Sequence, residues 1–176
     1  MKKQNLIYLV AAFVMAMIMS MPSVLMGQAQ AQNDNIVCLA ATDGQATIAG
    51  ASDVFAVYID PRFDKIKNAQ AATLSVDVQV RDIKSDGTIQ EIFCAVSENL
   101  DQLCLTQSQI KEFCKNHAAR LRSNGLATFF LSKEKGRYFV TEVYGFDNAL
   151  HARYLPLFDP YVWNGEYRHK IVVAVR

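Results

Sequence analysis

The four cysteines, Cys38, Cys94, Cys104 and Cys114, are the residues best suited to covalent chemistry in this sequence. All four follow an N-terminal segment typical of export, and an even number of cysteines in an exported chain predicts disulfides. A helix starting at Thr106 would place Cys114 ~12 Å along its axis, whereas bridged Cα atoms lie within ~7 Å, so Cys104–Cys114 is disfavoured. We therefore favour a Cys94–Cys114 bridge, which leaves Cys38 with Cys104.

A cysteine and a histidine on one helix face offer two further chemistries. Cys114 and His117 are three residues apart, close enough for the imidazole to activate the thiol as a nucleophile. Cys94, Cys104, Cys114 and His117 also have the ligand types of a zinc site, although the paired short spacing of zinc cysteines is missing. Both are alternatives to the disulfides, and we predict neither a bound metal nor a cofactor.

Aromatic and basic residues are concentrated near the C-terminus. The rings are Tyr154, Phe158, Tyr161, Trp163 and Tyr167, and His151, Arg153, Arg168 and His169 lie among or beside them. Aromatic rings with arginine are typical of protein interfaces and of sugar-stacking surfaces. The alternative is that these rings close the edge of the core. We take as candidate binding residues Tyr154, Tyr161, Trp163, Arg153 and Arg168.

The pair Asn164-Gly165 predicts a two-residue turn within this aromatic segment. Because side chains alternate along a strand, Tyr161 and Trp163 would share one face of the hairpin, and Val162 and Tyr167 the other. We expect the Val162 face to be buried and Trp163 to be partly exposed.

No enzyme motif is evident in the sequence. It has no Gly-rich phosphate loop, no G-x-S-x-G elbow and no H-E-x-x-H helix. Most aspartates stand beside turn residues, where Asp is common for local reasons. A small exported hydrolase would need His117, His151 or His169 to share a solvent-reaching cleft with an Asp or a Ser.

The element that organises the chain is a helix predicted over residues 106–124. Thr106 and Gln109 have the spacing of a capping box, and Asn124-Gly125 is a typical helix end. Apolar or small residues recur along one face of this segment at Ile110, Phe113, Cys114, Ala118 and Leu121, and His117 lies on the same face. One face of the helix is therefore expected to be buried.

The strands are predicted as three hairpins. Residues 74–81 alternate strictly and turn at Ser85-Asp86-Gly87 into 89–96, a second pair spans 126–132 and 137–146, and the third surrounds Asn164-Gly165. We therefore predict an α+β fold, a two-layer antiparallel sheet of hairpins with the principal helix packed on one face.

The N-terminus has the layout of a secretory signal peptide. Lys2 and Lys3 precede an uncharged apolar run, and Ala29-Gln30-Ala31 matches a signal-peptidase site. We predict removal of residues 1–31 and a single exported domain over residues 32–176. An uncleaved membrane anchor is the alternative, because the uncharged stretch extends to Met26.

The nearly neutral net charge of the chain excludes some classes of binding partner. The chain has 18 basic and 17 acidic residues, and loss of residues 1–31 would remove only Lys2 and Lys3 from that balance. A nearly neutral chain without basic runs offers no footprint for nucleic acid and no basic face for lipid, so membrane contact would involve only an uncleaved N-terminal segment. We predict a bacterial envelope or secreted protein that binds a protein partner in the cell envelope or a surface assembly, as an accessory or structural component.

Overall fold

The computed structural model of the protein describes residues 35–146 and 149–175. These residues belong to one unit, Asn35–Arg176. The predicted signal peptide lies outside the described residues. Within them, no helix combines the length and the apolar character that crossing a membrane requires.

A mixed seven-stranded sheet forms the centre of the fold, in the order β1-β3-β9-β5-β6-β7-β2. Its strands are β1 Ile36–Leu39, β2 Tyr58–Ile59, β3 Val76–Asp82, β5 Ala127–Glu134, β6 Arg137–Phe146, β7 Ala149–Pro156 and β9 Lys170–Val175. A second sheet pairs β4 Gly87–Thr88 with β8 Val162–Trp163. The α+β class is as predicted, but a wholly antiparallel sheet is wrong, because β5 pairs with β9, and β2 with β7, in parallel.

The principal helix starts as predicted and ends earlier. It is α2, Gln107–Asn116, whereas α1 is the short helix Ile89–Cys94. The capping box is present, since Gln109 N donates to Thr106 Oγ1 at 3.2 Å and Thr106 N donates to Gln109 Oε1 at 2.9 Å. The helix stops at Asn116 because His117 leaves the helical region, with φ −127° and ψ 30°, and a separate 3-10 turn follows.

Two of the three predicted hairpins are absent. Residues 89–96 were expected as a strand, but Thr88 caps α1, with Glu91 N donating to Thr88 Oγ1 and Thr88 N to Glu91 Oε2. Asn164 caps a 3-10 turn, Gly165–Tyr167, by accepting from Glu166 N at 2.7 Å. The strand before that turn therefore pairs with β4, and the strand after it enters the main sheet.

The β5–β6 segments form an antiparallel hairpin. Their register runs from Ala127 opposite Tyr144 to Glu134 opposite Arg137. The turn uses left-handed backbone at Lys135, with φ 49°, and at Gly136, with φ 78°. Two consecutive residues with positive φ match the twist of the flanking strands, which explains the tight connection.

Both faces of the main sheet are covered, so the helix does not form one layer of a two-layer domain. One buried cluster contains Phe113 of α2 with Phe130 and Phe139, and the other contains Phe93 of α1 with Phe129. Side chains alternate along a strand, so neighbouring Phe129 and Phe130 point to opposite faces. We call these the α1 face and the α2 face. Continuous burial along β5 follows from the double cover.

The chain passes from one face to the other between β9 and β5. Leu103 belongs to the cluster on the α1 face and Leu105 to that on the α2 face. Leu105 N donates to Leu131 O at 2.9 Å, and Ala174 N donates to Leu103 O at 3.4 Å. We call residues 103–105 the crossing segment. It fills the space where the short parallel pairing of β5 and β9 has ended.

Candidate functional site

The tryptophan predicted as a binding residue lies at the centre of a group of rings on the α1 face. Trp163 contacts Phe129 with a centroid distance of 4.6 Å, Tyr161 at 4.9 Å and His169 at 5.1 Å, each edge to face. Tyr167 contacts His169 at 6.1 Å. Offset and edge-to-face contacts of this kind stabilise aromatic pairs beyond the area they bury. Trp163 is half-buried, and the buried ring of Phe129 packs against it from the core.

Several large apolar side chains in the segment that carries this tryptophan remain exposed. The exposed fractions are 72% for Phe158, 61% for Tyr161, 56% for Val162 and 59% for Tyr167. We call these four residues, together with Trp163, the aromatic surface. The predicted orientation of the strand is wrong, since Val162 and Tyr167 were expected to be buried. Pairing of β8 with β4 turns Trp163 toward the α1 face and Val162 toward solvent.

Three contacts hold the loop that carries the aromatic surface. Gly165 N donates to Asp86 Oδ1 at 2.9 Å, and Arg122 Nη2 donates to Tyr167 O at 3.0 Å. A Cβ atom at Gly165 would lie 2.6 Å from the backbone carbon of Lys84, so only glycine fits this close approach. The surface is therefore presented by a fixed backbone.

His169 is a buried structural residue at the start of β9. Its Nδ1 accepts a hydrogen bond from Ala127 N at 2.9 Å, which assigns the ring proton of the neutral imidazole to Nε2. Burial lowers the pKa of His169, and the positive charge of Arg122 acts in the same direction. The side chain thus ties β9 to β5 beneath the aromatic surface.

The five predicted binding residues are not brought together. Tyr161 and Trp163 lie in the aromatic surface, and exposed Arg168 follows Tyr167 in left-handed conformation with φ 50°. Arg153 is on β7, where its Nη1 lies 3.3 Å from Glu142 Oε2. Tyr154 is on the α2 face. Composition along the segment identified these residues, but alternation along β7 places Arg153 and Tyr154 on opposite faces of the sheet.

A buried carboxylate on β6 was not anticipated. Glu142 is 4% exposed and lies between Phe129 of β5 and Arg153 of β7 in the strand register. Burial raises the pKa of Glu142, and the charge of Arg153 acts in the opposite direction. Two residues further along β6, Tyr144 stacks on His151 at 4.7 Å. No sequence signal marks Glu142, which stands between Thr141 and Val143 like any alternating strand residue.

No disulfide joins Cys38, Cys94, Cys104 and Cys114, all of which are within the described residues. The favoured Cys94–Cys114 bridge is not formed: Cys114 is buried on the α2 face, while Cys94 ends α1, which packs on the α1 face. The Cys104 thiol donates to Leu100 O at 3.3 Å. Over residues 35–146 and 149–175, no group of three or more potential ligands is suited to a metal ion.

The histidines bear on the hydrolase alternative. His117 ends α2 and packs on Phe113 with a centroid distance of 5.7 Å, His151 stacks on Tyr144, and His169 is buried. Four surface cavities within the described residues have volumes of about 770, 390, 470 and 570 Å³, and no histidine lines any of the four. The histidine-containing cleft that a hydrolase of this kind would need is therefore not among them.

The candidate site is the aromatic surface, a set of exposed and half-buried apolar side chains on a fixed loop. Comparisons with protein-family models, curated proteins and solved structures find no match to this chain.

Proposed function

We propose that the protein is an exported component of the bacterial envelope, or a secreted protein, that binds a protein partner through the aromatic surface. The observation that carries this proposal is the exposure of Phe158, Tyr161, Val162 and Tyr167 in the segment that also holds the half-buried Trp163. Contiguous apolar groups with a polar rim mark interaction sites on soluble proteins. Here the rim includes the exposed residues Glu166 and Arg168.

The shape of the aromatic surface favours a protein partner over a small ligand. None of the four cavities described above is lined by a residue of the aromatic surface. Small ligands bind in concave sites, whereas protein interfaces use broad surfaces with central aromatic anchors. Trp163, supported by Phe129, has the position of such an anchor.

Export remains part of the proposal, supported by Lys2 and Lys3, the apolar run after them and Ala29-Gln30-Ala31. We expect protein recovered from the envelope or the medium of a bacterial host to begin at Gln32. N-terminal sequencing measures this directly. A chain that still begins at Met1 and stays with the membrane after carbonate washing would support an anchored protein instead.

The binding proposal is tested with surface variants that leave the core intact. Phe158→Ser and Tyr161→Ser, combined, remove two exposed rings, whereas Leu74→Ser removes an apolar side chain that is 86% exposed elsewhere. Trp163 is less suitable, because it packs on Phe129 and its loss would also lower stability. Each variant is immobilised, and envelope proteins that it captures are compared by quantitative mass spectrometry.

A partner should be captured by the wild-type protein and by Leu74→Ser, and lost with the double variant. Titration of that purified partner should then show at least a tenfold weaker Kd for Tyr161→Ser, about 1.4 kcal/mol. Identical capture by all three proteins, with unchanged unfolding midpoints, would eliminate the aromatic surface as the binding site.

A further inference from the structure

A basic cleft lies on the α2 face, away from the aromatic surface. It is formed by the 3-10 helix Pro61–Ile66, the β5–β6 turn and β7, and its volume is about 570 Å³. Four cationic side chains, Arg62, Lys65, Lys135 and Arg137, line it with a single carboxylate, Glu134. In a nearly neutral chain, this concentration of positive charge in a concave site favours an anionic ligand.

One of these cations is fixed in orientation. Arg62 Nε lies 3.0 and 3.2 Å from the two carboxylate oxygens of Asp60, and Nη2 lies 2.7 Å from Oδ2. Asp60 is itself buried and also accepts hydrogen bonds from the backbone N–H groups of Arg62 and Tyr154. A guanidinium has five N–H donors in a planar fork, so Nη1 retains donors for a ligand.

The buried carboxylate stays charged. The side-chain hydrogen bond from Arg62 is the main reason that the pKa of Asp60 is lowered to about 2. Arg62 is thus held in place at every ordinary pH, although its charge is partly offset by Asp60. Glu134, the acidic residue that lines the cleft, also has a hydrogen-bond partner, because Gln70 Nε2 donates to Glu134 Oε2 at 3.3 Å.

Aromatic rings of the α2 face also lie beside the cationic side chains of this cleft. Tyr154 stacks on Phe139 with a centroid distance of 5.3 Å and an angle of 11°, and Phe63 meets the Tyr154 ring edge to face. The guanidinium carbon of Arg62 lies 5.1 Å from the centre of the Tyr154 ring. Tyr154 is half-buried, and both Tyr154 and Phe139 line the cleft. A flat apolar group could therefore pack beside the bound anion.

We propose that this cleft binds a small ligand in which an anionic ester group, phosphate or sulfate, is joined to a flat apolar group. The anion is bound by Lys135, Arg137 and the oriented Arg62, and the flat group packs against Tyr154. The volume of the cleft falls within the range of about 300 to 1,000 Å³ that small-molecule sites occupy.

The probe is 1-naphthyl phosphate, with 1-naphthol and inorganic phosphate as its separate halves. Binding to the full domain is followed by calorimetry and by amide chemical shifts. We expect saturable binding at least tenfold tighter than for either half, with shifts around Lys135 and Tyr154. 1-Naphthyl sulfate shows which of the two ester groups is preferred.

Three substitutions locate the site. Lys135→Asn keeps a residue that tolerates the positive φ, and Arg137→Gln removes an exposed charge; each should weaken binding at least fivefold. Lys67→Gln is the matched control, because Lys67 is an exposed cation near the cleft that does not line it. Arg62 is unsuitable, since its loss would leave the buried Asp60 carboxylate unpaired.

These experiments distinguish failure of the ligand-binding cleft from failure of the proposed protein-binding function. The Phe158→Ser and Tyr161→Ser double variant should bind 1-naphthyl phosphate like the wild type, whether or not it loses its protein partner. Equal affinity for inorganic phosphate and 1-naphthyl phosphate would overturn the aromatic part of the site. Equal weakening by Lys67→Gln and Arg137→Gln, or no saturable binding, would overturn the site itself.

Discussion

At the scale of single residues, the cysteines have sharply different environments. Cys38 and Cys94 are exposed, whereas Cys114 is buried on the α2 face, and burial raises the pKa of its thiol. The thiolate is the reactive form of cysteine. Burial of the side chain and the raised pKa of its thiol therefore both make Cys114 less reactive.

We expect a thiol reagent to label the exposed Cys38 and Cys94 in the folded protein, although Asp77 raises the pKa of the Cys38 thiol. Cys114 should react at least a hundredfold more slowly, since labelling requires opening of a core worth several kcal/mol. Peptide mapping after timed labelling, with unfolded protein as control, measures each site. Two disulfide-linked peptide pairs in protein isolated from an oxidising compartment would instead show that the bridges expected from the sequence do form.

The sequence identified some of the candidate residues and missed others for a physical reason. Tyr161 and Trp163 stand in an aromatic segment whose composition is visible along the chain. Arg62 and Arg137 are far apart in sequence, and only the pairing of β6 with β7 and the docking of a 3-10 helix bring them into one cleft. Contacts of this kind depend on the whole fold, so no local pattern of residues reports them.

At the scale of elements, one buried glutamine connects α2 to two loops. Gln107 Oε1 accepts from Ile48 N at 3.0 Å, and Gln107 Nε2 donates to Ile66 O at 2.7 Å. Gln107 is completely buried, so these hydrogen bonds cannot be replaced by water without rearrangement.

Replacing Gln107 by Leu should therefore lower the free energy of unfolding by about 2 to 4 kcal/mol, because two backbone groups lose their partners. Chemical denaturation measures the loss. Gln102→Leu is the matched control, because Gln102 is exposed and its substitution should change stability by less than about 0.5 kcal/mol. Equal effects of the two substitutions would show that Gln107 does not hold these loops.

The β6–β7 pair contains a carboxylate whose ionisation opposes folding. The pKa of Glu142 is raised by burial above that of the unfolded chain, which is about 4.3. Its protonated form therefore favours the folded state at low pH, and that contribution is lost as pH rises through the folded-state pKa. The ion pair with Arg153 stabilises the charged form of Glu142, so it reduces the stability that is lost as pH rises.

Glu142→Gln cannot ionise, so its stability relative to the wild type should increase as pH rises from about 4 to 7. Arg153→Gln should have the opposite effect, lowering stability near pH 7 and changing it little near pH 4. Unfolding free energies measured across this pH range test both variants. A pH-independent difference between Glu142→Gln and the wild type would contradict a raised pKa.

Elements with complete local signals were predictable, and those set by distant pairing were not. The start of α2 and the β5–β6 hairpin follow from a capping box and a tight turn. The end of α2 was misplaced because Leu121 remains buried after the helix has ended, so the apolar periodicity continues past His117. Thr88 and Glu91 did carry a capping-box signal for α1, but the apolar residues after them were assigned to a strand.

At the scale of the whole molecule, the position of β9 determines the architecture. The last strand of the chain enters between β3 and β5, antiparallel to one and parallel to the other. Such long-range pairing has no signature in local sequence, and it changes an expected set of hairpins into a mixed sheet with two buried faces. The two faces then have to be joined, and the crossing segment joins them through the sheet.

The last prediction concerns the stability of that crossing segment. Leu105 N donates to Leu131 O, and Ser132 Oγ donates to Leu105 O at 2.8 Å, in a completely buried environment. Opening this segment would expose Leu103 and Leu105 on opposite faces together, which local fluctuation cannot achieve. We expect the amide of Leu105 to exchange with solvent only on global unfolding, with an opening free energy within about 1 kcal/mol of the global value.

Native-state hydrogen exchange at increasing denaturant concentration measures this opening energy. The amide of Asp159, which donates to Pro156 O at 3.2 Å in a loop, is the internal control and should exchange by local opening. For Leu105, the dependence on denaturant should equal that of global unfolding, because the same surface is exposed. A weak dependence at Leu105, similar to that at Asp159, would mean that the crossing segment opens by itself and that the two faces of the sheet are not coupled through it.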